Sequence, residues 1–356
     1  MQIEWIQLVD HRSYRALSYS PVKHLNVLTG ANGQGKTNLL EALGLLLVGR
    51  SFRGVKAADM VRWGAEGALV TGSVRREGSA RVLRREIRRR EDGGWIVTGE
   101  GCEWARVVPF SWLDLAIVNG SPQARRNFVD GFAGKIQPAH LSTLVRYRQV
   151  LSRRNSLLQV GLSRGDLDDR LGPWDEQIAR LGIEMIARRR AAVVTLGEEL
   201  ERLWTDLSAG IVRLEYRSSL GPEPSVATVL EQLSRRRGEE IRRGQTLVGP
   251  HRDDLSIEMD GCDMRQYGSR GQQRLLALAL RLAEVSPVSR AVGSPPVLVL
   301  DDAMSELDPQ AQRAVFEMIA GHGQVFLTTA DAALAAPAAA WWMVQDGVIE
   351  PHVAGA

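Results

Sequence analysis

The stretch that decides the fold is Gly30-Ala31-Asn32-Gly33-Gln34-Gly35-Lys36-Thr37. It matches the pattern G-x-x-x-x-G-K-[ST], and it lies between an apolar run at 25–28 and an apolar stretch at 37–48, which predict a strand and a helix. In that context the glycines turn backbone N–H groups towards phosphate, Lys36 reaches the outer phosphates, and Thr37 offers a hydroxyl to Mg²⁺. The stretch therefore predicts a site for ATP and Mg²⁺ on an α/β core.

A second motif follows a strongly apolar strand near the C-terminus. Residues 297–300 read Val-Leu-Val-Leu, and Asp301 and Asp302 come directly after them. The first carboxylate of such a pair holds the Mg²⁺ shell, and the second can orient or deprotonate the water that attacks the γ-phosphate. We therefore assign Asp301 to the metal and Asp302, with Lys36, to catalysis. ATPases with such a pair often carry glutamate at the second position, and the shorter aspartate predicts slow hydrolysis, so ATP would act chiefly as a switch.

A third motif, residues 267–274, precedes an apolar helix at 275–284 and resembles the signature loop of ABC ATPases. A serine, a glycine and a helix N-terminus form a second anion site, although one ATP needs only one phosphate loop. The second site should serve an ATP held by another copy, which predicts an ATP-dependent homodimer. The residues assigned to this contact are Ser269, Arg270, Gly271 and Gln272.

Helical spacing and charge divide the chain into three segments. Residues 1–115 predict the N-terminal half of the ATPase core, 116–215 an inserted helical arm lobe, and 216–356 the C-terminal half of the core with the signature and acidic motifs. Within the arm, a loop at 161–173 is expected to separate two antiparallel helices, and an arginine-rich link is expected near 234–244. The predicted fold class is α/β, an ABC-type core of mixed sheet and flanking helices with an inserted α-helical arm.

Composition excludes several classes of protein. Cys102 and Cys262 are the only cysteines and lie far apart, which argues against a disulfide scaffold or a thiolate zinc site. The longest apolar runs are too short to cross a membrane, and no signal peptide is evident, so we expect a cytoplasmic protein. The net charge is +3, and lysine occurs only four times among 45 basic residues, so nearly all of them are arginine. The arginine guanidinium suits phosphate oxygens, and this composition permits nucleic-acid binding without requiring it.

Further segments resemble landmarks of the RecF family, which are ABC-type relatives of the SMC ATPases without the long coiled coils. They are Gly49-Arg50-Ser51-Phe52-Arg53, residues 120–130 (GSPQARRNFVD), 147–155 (YRQVLSRRN) and 249–255 (GPHRDDL). The resemblance spans almost the whole chain. It departs at residues 111–115 (SWLDL), where the family usually has a proline and a second acidic residue.

The resemblance implies an ATP-induced dimer that binds single- and double-stranded DNA at gaps or junctions. It also implies work with RecO and RecR to load RecA during recombinational repair, support of the SOS response, and a weak, DNA-stimulated ATPase that resets the dimer. Two arginine-rich faces are candidates for the DNA contact, one on a predicted hairpin and one on the arm, and either could be solvated surface only. Their candidate residues are Arg75, Arg76, Arg84, Arg85, Arg125, Arg126, Arg153 and Arg154.

Two other functions stay open at this point. An ABC transporter subunit is disfavoured because residues 328–331 (TTAD) lack the phosphate-sensing histidine of that class, and because the arm is present. An ATP-binding assembly module without a DNA function remains possible because of the aspartate at Asp302. His251 has no second histidine at ligand spacing, so we interpret it as structural.

Overall fold

The computed structural model describes residues 1–160, 164–207, 210–331 and 339–352, and the chain divides into two compact units. The first unit comprises Met1–Leu115, Asp206–Ser208 and Arg270–Ala356, and the second comprises Ala116–Thr205 and Ala209–Ser269. None of the helices in the described part of the chain combines the length and the apolar character that crossing a membrane requires.

Strands and helices are interspersed along the chain in runs. The strands are β1 (Gln2–His11), β2 (Tyr14–Tyr19), β3 (Leu25–Thr29), β4 (Gly67–Arg76), β5 (Ser79–Arg89), β6 (Trp95–Thr98), β7 (Val107–Phe110), β8 (Val212–Arg217), β9 (Asp254–Met259), β10 (Cys262–Asp263), β11 (Val297–Leu300), β12 (Val325–Thr328), β13 (Ala340–Gln345) and β14 (Val348–Pro351). The helices are α1 (Lys36–Val48), α2 (Leu115–Asn119), α3 (Pro122–Ile136), α4 (Ala139–Gln159), α5 (Arg164–Leu207), α6 (Val226–Arg243), α7 (Met264–Tyr267), α8 (Arg270–Ala283), α9 (Val285–Val292) and α10 (Pro309–Ala320).

The first unit contains two sheets. A six-stranded sheet has the order β14-β13-β3-β12-β11-β7, in which β13, β3, β12, β11 and β7 run parallel and β14 is antiparallel. A five-stranded antiparallel sheet has the order β2-β1-β4-β5-β6. Helix α1 is buried along most of its length, because its leucines belong to one core with side chains from both sheets. Such burial on both sides explains why α1 is apolar all round instead of amphipathic.

The second unit is mainly helical. Strands β10, β9 and β8 form a small antiparallel sheet in that order. Its core is built from α4, α5 and α6, which contribute Leu144, Tyr147, Ile178, Met185 and Leu233. The mixed sheet with flanking helices and the separate helical unit agree with the predicted architecture.

Three details of the predicted organisation differ from the structure. The return to the first unit lies at Arg270 and not at 216, because β8, α6 and β9 belong to the helical unit. The loop expected at 161–173 is wrong from Arg164 onwards, since α5 begins there and carries Pro173 inside it, while 161–163 lie outside the described residues. The link expected at 234–244 is the second half of α6.

Candidate functional site

Four parallel strands of the six-stranded sheet end at one edge and bring the motifs together. Gly30 follows β3, Asp301 follows β11, Thr329 follows β12, and Ser111 follows β7. Ligands of open α/β sheets bind outside the carboxyl ends of the strands. A cleft of about 310 Å³ lies at this edge, and it is lined by Asn32, Gly33, Gly35, Lys36, Thr37, Asn38, Arg53, Trp112, Asp301, Asp302, Thr328, Thr329 and Ala330.

The glycine-rich turn between β3 and α1 has a backbone that other residues would strain. Gly30 and Gly35 have φ values of +143° and +107°. A Cβ at Gly30 would overlap the carbonyl of Val344, and one at Gly35 would come within 3.0 Å of the Tyr14 hydroxyl, so both positions require glycine. The Lys36 ammonium group donates to the carbonyls of the turn, at 2.9 Å from the Ala31 oxygen. The side chain therefore lies against the backbone of the turn, and it would have to leave these carbonyls to bind a phosphate.

Asp301 lies at the floor of the cleft and is held by two threonines. The Thr37 hydroxyl donates to Asp301 Oδ1 at 2.9 Å, and the Thr328 hydroxyl donates to the same oxygen at 2.8 Å. Only 8% of Asp301 is exposed. Burial raises the pKa of Asp301 above its ordinary value, although the hydrogen bonds from Thr328 and Thr37 oppose this rise. The hydroxyl and the carboxylate are adjacent oxygen donors, which is the set that Mg²⁺ prefers.

Asp302 has different surroundings from its neighbour. Its backbone is left-handed, with φ +51°, and its side chain is 58% exposed. Its N–H donates to the Thr328 hydroxyl at 2.9 Å, and its carboxylate accepts from the Ser305 hydroxyl at 2.8 Å. The carboxylate at the mouth of the cleft is therefore accessible to water, while its backbone is fixed to β12.

Sequence reasoning missed Arg274 as a residue of this site. Its guanidinium is 8% exposed, donates to the Asp302 carbonyl and to the Ser305 hydroxyl, and lies 3.6 Å from the Glu306 carboxylate. Arg274 thus ties the signature helix α8 to the loop that carries Asp302. Its position four residues after Arg270 predicts a place in the first turns of the helix but gives no sign of its partners.

Trp112 and Thr328 are two further lining residues that the sequence did not single out. Trp112 stands at the departure from the family pattern, and its indole is 66% exposed at the mouth of the cleft. Thr328 enters the sequence analysis only as the first residue of the segment 328–331, which lacks a phosphate-sensing histidine. The signal that could have identified it is its position at the carboxyl end of β12, which lies between β3 and β11, the strands that lead to the glycine-rich turn and to Asp301.

The four signature residues lie at the start of α8. Ser269, Arg270, Gly271 and Gln272 are all exposed, whereas the apolar face of the helix is buried from Leu276 onwards. None of these four residues is among the described residues that line the cleft of the same chain. The structure therefore presents the signature outwards, as a contact with another molecule requires.

Three of the candidate DNA-contacting arginines are buried, and we withdraw them. Arg85 donates to the carbonyls of Leu46 and Gly99 at 3.1 and 3.0 Å. Arg125 forms a bidentate ion pair with Asp254, in which Nε and Nη2 donate to the two carboxylate oxygens at 2.7 and 2.8 Å. Arg154 is fully buried and binds Asp175, Glu240 and Thr246 at 2.7, 2.6 and 2.7 Å. Their donors are already used inside the protein, and a phosphate could not reach them.

The other five candidates reach the surface to different degrees. Arg75 is paired with Glu4, and Arg126 donates to the Asp253 carbonyl at 2.7 Å. Arg76 and Arg84 each lie 4.0 Å from a glutamate of the hairpin. Arg153 is exposed on α4. The structure thus brings the predicted residues of the glycine-rich turn and the carboxylate pair together, and it leaves five candidate arginines with side chains at the surface of their own unit.

His251 is structural, as the sequence analysis expects. Its Nδ1 accepts from the Tyr147 hydroxyl at 2.7 Å, and its Nε2 donates to the Thr246 carbonyl at 3.0 Å. Burial lowers the pKa of His251 to about 4, so the ring is neutral at pH 7. Among the described residues, no cluster of three or more histidine, cysteine, aspartate or glutamate side chains could hold a metal ion.

Comparisons with known proteins place the fold and the site in context. Residues 2–347 match the model of the RecF/RecN/SMC N-terminal domain. The DNA replication and repair protein RecF of Synechococcus sp. (strain JA-3-3Ab) is 38% identical over 347 residues, covering 92% of this chain and 91% of that protein. The RecF protein of Heliobacterium modesticaldum is 39% identical over 352 residues, with 92% of each chain covered.

Two solved structures are similar over nearly the whole chain. The recombination mediator protein RecF, described as RecF-ATPrS in the RecFOR pathway, superposes with a TM-score of 0.86 at 28% identity and covers 99% of this chain and 98% of that one. The Smc head domain of Pyrococcus furiosus superposes with a TM-score of 0.55 at 18% identity, covering 98% and 95% of the two chains. The second likeness concerns the fold alone, and together they confirm the predicted ABC-type core.

Proposed function

This chain belongs to the RecF family of DNA replication and repair proteins, and on that premise we propose that it is an ATP-gated clamp on DNA. Two copies close around ATP and hold single- or double-stranded DNA at gaps or strand junctions. Slow hydrolysis then opens the dimer. The observation that carries the proposal is that the hydroxyls of Thr37 and Thr328 both donate hydrogen bonds to Asp301, at the cleft that the glycine-rich turn lines.

The residues of the cleft fit ATP and Mg²⁺ by their chemistry. The turn presents backbone N–H groups at the start of α1, where the helix dipole favours anions. Thr37 and Asp301 would hold Mg²⁺, which neutralises phosphate charge when bound. A related RecF protein has been solved with ATP, and that relative supports ATP as the ligand here.

The chain's own groups divide the work of hydrolysis. Lys36 leaves the carbonyls of the turn and binds the outer phosphates, while Asp302 orients the attacking water. The water oxygen forms a bond to the γ-phosphorus, the bond from that phosphorus to the ADP oxygen breaks, and Asp302 accepts the proton of the water. Asp302 is also bound by Ser305 and has a short side chain, so we propose a weak ATPase that acts as a timer.

A second copy completes the site. Ser269, Arg270, Gly271 and Gln272 lie exposed at the start of a 14-residue helix that is anchored by its buried face. In a closed dimer they would contact the γ-phosphate held by the other copy, and Arg274 would relay that contact to Asp302 and Ser305. ATP binding and dimerisation are therefore coupled.

The biological role follows from the family. We propose that the clamp works in the cytoplasm with RecR and RecO, helps to load RecA in recombinational repair and replication, and so supports the SOS response. A solved relative is assigned to the RecFOR pathway, which supports this choice of partners.

The experiment that tests the proposal is binding to gapped duplex DNA with ATP, without nucleotide, and with Lys36→Ala, while the protein is sized in the same mixtures. We expect ATP to produce dimers that hold DNA, and Lys36→Ala to abolish both. If ATP dimerises the protein but DNA never binds, the DNA function is overturned and an ATP-dependent assembly module remains.

A further inference from the structure

The exposed face of α4 has an unusual composition. Its 21 residues include no aspartate or glutamate. The buried side of the helix carries Leu144, Tyr147, Val150, Arg154 and Leu158. The opposite side of the helix is exposed and carries serines, arginines, one glutamine and one valine. Its residues are Ser142, Val145, Arg146, Gln149, Ser152, Arg153 and Ser156, and Arg148 lies at its flank.

The exposed arginines of this face differ from many others in their surroundings. Among the described residues, no carboxylate lies within ion-pair distance of Arg146, Arg148 or Arg153. Arg153 instead lies over the Trp174 ring, 5.6 Å from its centre, which restrains its side chain without cancelling its charge. Two exposed arginines elsewhere on the helical unit do have such partners, since Arg180 pairs with Glu176 at 3.8 Å and Arg235 pairs with Glu231 at 2.6 Å.

The buried side of α4 fixes the direction of this face. Arg154 is joined to α5 through Asp175 and to α6 through Glu240, with neither the arginine nor the glutamate exposed to solvent. Tyr147 is bound to His251 in the segment before β9. A helix anchored to three neighbouring segments presents its outer side chains in a fixed row, which reduces the entropy lost when a ligand binds.

We propose that this face of α4 contacts the phosphates of duplex DNA, an inference that rests on the proposed function. Arg146 and Arg153 are separated by about 10 Å along the helix axis, a span over which a duplex presents several phosphates. Gln149 and Ser152 lie between them and can donate hydrogen bonds to phosphate oxygens, as such side chains commonly do. Because the proposed contacts are made to phosphate oxygens and not to base edges, we expect the binding to be independent of sequence.

The test compares three double variants that each remove two positive charges. Arg146→Gln with Arg153→Gln changes the proposed face. Arg84→Gln with Arg88→Gln removes two exposed arginines of β5 and changes the competing hairpin. Arg180→Gln with Arg235→Gln is the matched control, because those arginines are exposed on the same unit but paired with glutamates. For each protein the affinity for a blunt duplex is measured with ATP at several salt concentrations, and ATP-dependent dimer formation is measured alongside.

We expect the α4 pair to reduce the log–log salt slope by roughly 1.8 for each subunit that touches the duplex, from about 0.9 per phosphate contact, while the control keeps the wild-type slope. An unchanged slope for the α4 pair, or a reduced slope for the hairpin pair alone, overturns the inference and leaves the clamp intact. Failure of the wild-type protein to bind DNA overturns the proposed function itself. The two failures are therefore distinguishable.

Discussion

At the scale of single residues, Asp301 and Asp302 are adjacent in the chain but have opposite environments. Asp301 is buried and accepts hydrogen bonds from Thr37 and Thr328, whereas Asp302 is largely exposed at the mouth of the cleft. A buried carboxylate with fixed partners suits a metal, and an exposed carboxylate near the cleft suits water. We therefore expect Asp301 to bind the metal and Asp302 to act on the attacking water, and substitutions can test the two roles one at a time.

Replacing Asp302 by asparagine should abolish turnover and preserve assembly. Asparagine keeps the size of the side chain but cannot accept the proton of the water, so we expect the ATPase rate to fall by about 10² or more. Phosphate release and dimer mass, measured together with ATP, would show a stable dimer without hydrolysis. Retention of wild-type turnover by Asp302→Asn would exclude this aspartate as the base.

The buried His251 should make the protein less stable in mild acid. The pKa of His251 is lowered to about 4 in the folded chain by burial, so the unfolded chain binds the proton first and stability is lost as pH falls from about 6.5 towards 4. Between pH 7.5 and 5.5 the loss attributable to this group is about 1 kcal/mol. Urea unfolding at the two pH values should show a smaller difference for His251→Gln than for wild type, and an equal difference would contradict the assignment.

The residues of the glycine-rich turn and the carboxylate pair were predictable from the sequence, because strand, turn and ligand chemistry all lie within a few neighbouring positions. Arg274 and Thr328 were not, because their roles depend on which loops meet at the strand ends. The arginine doublets show the same limit. Arg153 and Arg154 read identically in the sequence, yet one is exposed and the other fully buried.

At the scale of elements, the helical unit is held by a buried ion cluster that joins α4, α5 and α6. Arg154 and Arg237 both bind Asp175, and Arg154 also binds Glu240. The same cluster explains why α6 was read as a polar link. Two of the four buried positions on its inner face, Arg237 and Glu240, are charged, so the apolar periodicity that predicts a helix is interrupted there.

Removing Arg154 should destabilise the helical unit strongly. Arg154→Ala removes a buried arginine that binds both Asp175 and Glu240, and Arg237 alone remains to balance two buried carboxylates. Breaking a buried ion pair typically costs about 3–5 kcal/mol, so we expect about that loss. Arg148→Ala on the same helix is the control. Arg148 is exposed and has no carboxylate partner among the residues that the structure describes, so its loss should change stability by less than about 0.5 kcal/mol. Urea unfolding of both variants checks the difference, and similar stabilities would contradict the structural role of the cluster.

At the scale of the whole molecule, the cleft and the exposed signature residues are the two parts that the proposed dimer would bring together. The cleft contains Lys36, Thr37 and the carboxylates, while Ser269 to Gln272 are exposed and do not line it. The closed dimer is therefore inferred from the fact that the signature residues do not line the cleft of their own chain. The central claim is that ATP joins the two parts across two copies.

The measurement that tests this claim most directly is the mass of the protein in solution with a non-hydrolysable ATP analogue, combined with nucleotide binding, for wild type, Lys36→Ala and Ser269→Arg. We predict that wild type binds and dimerises, that Lys36→Ala does neither, and that Ser269→Arg binds nucleotide but remains a monomer. Full dimer formation by Ser269→Arg, or a monomeric wild type saturated with the analogue, would contradict the account.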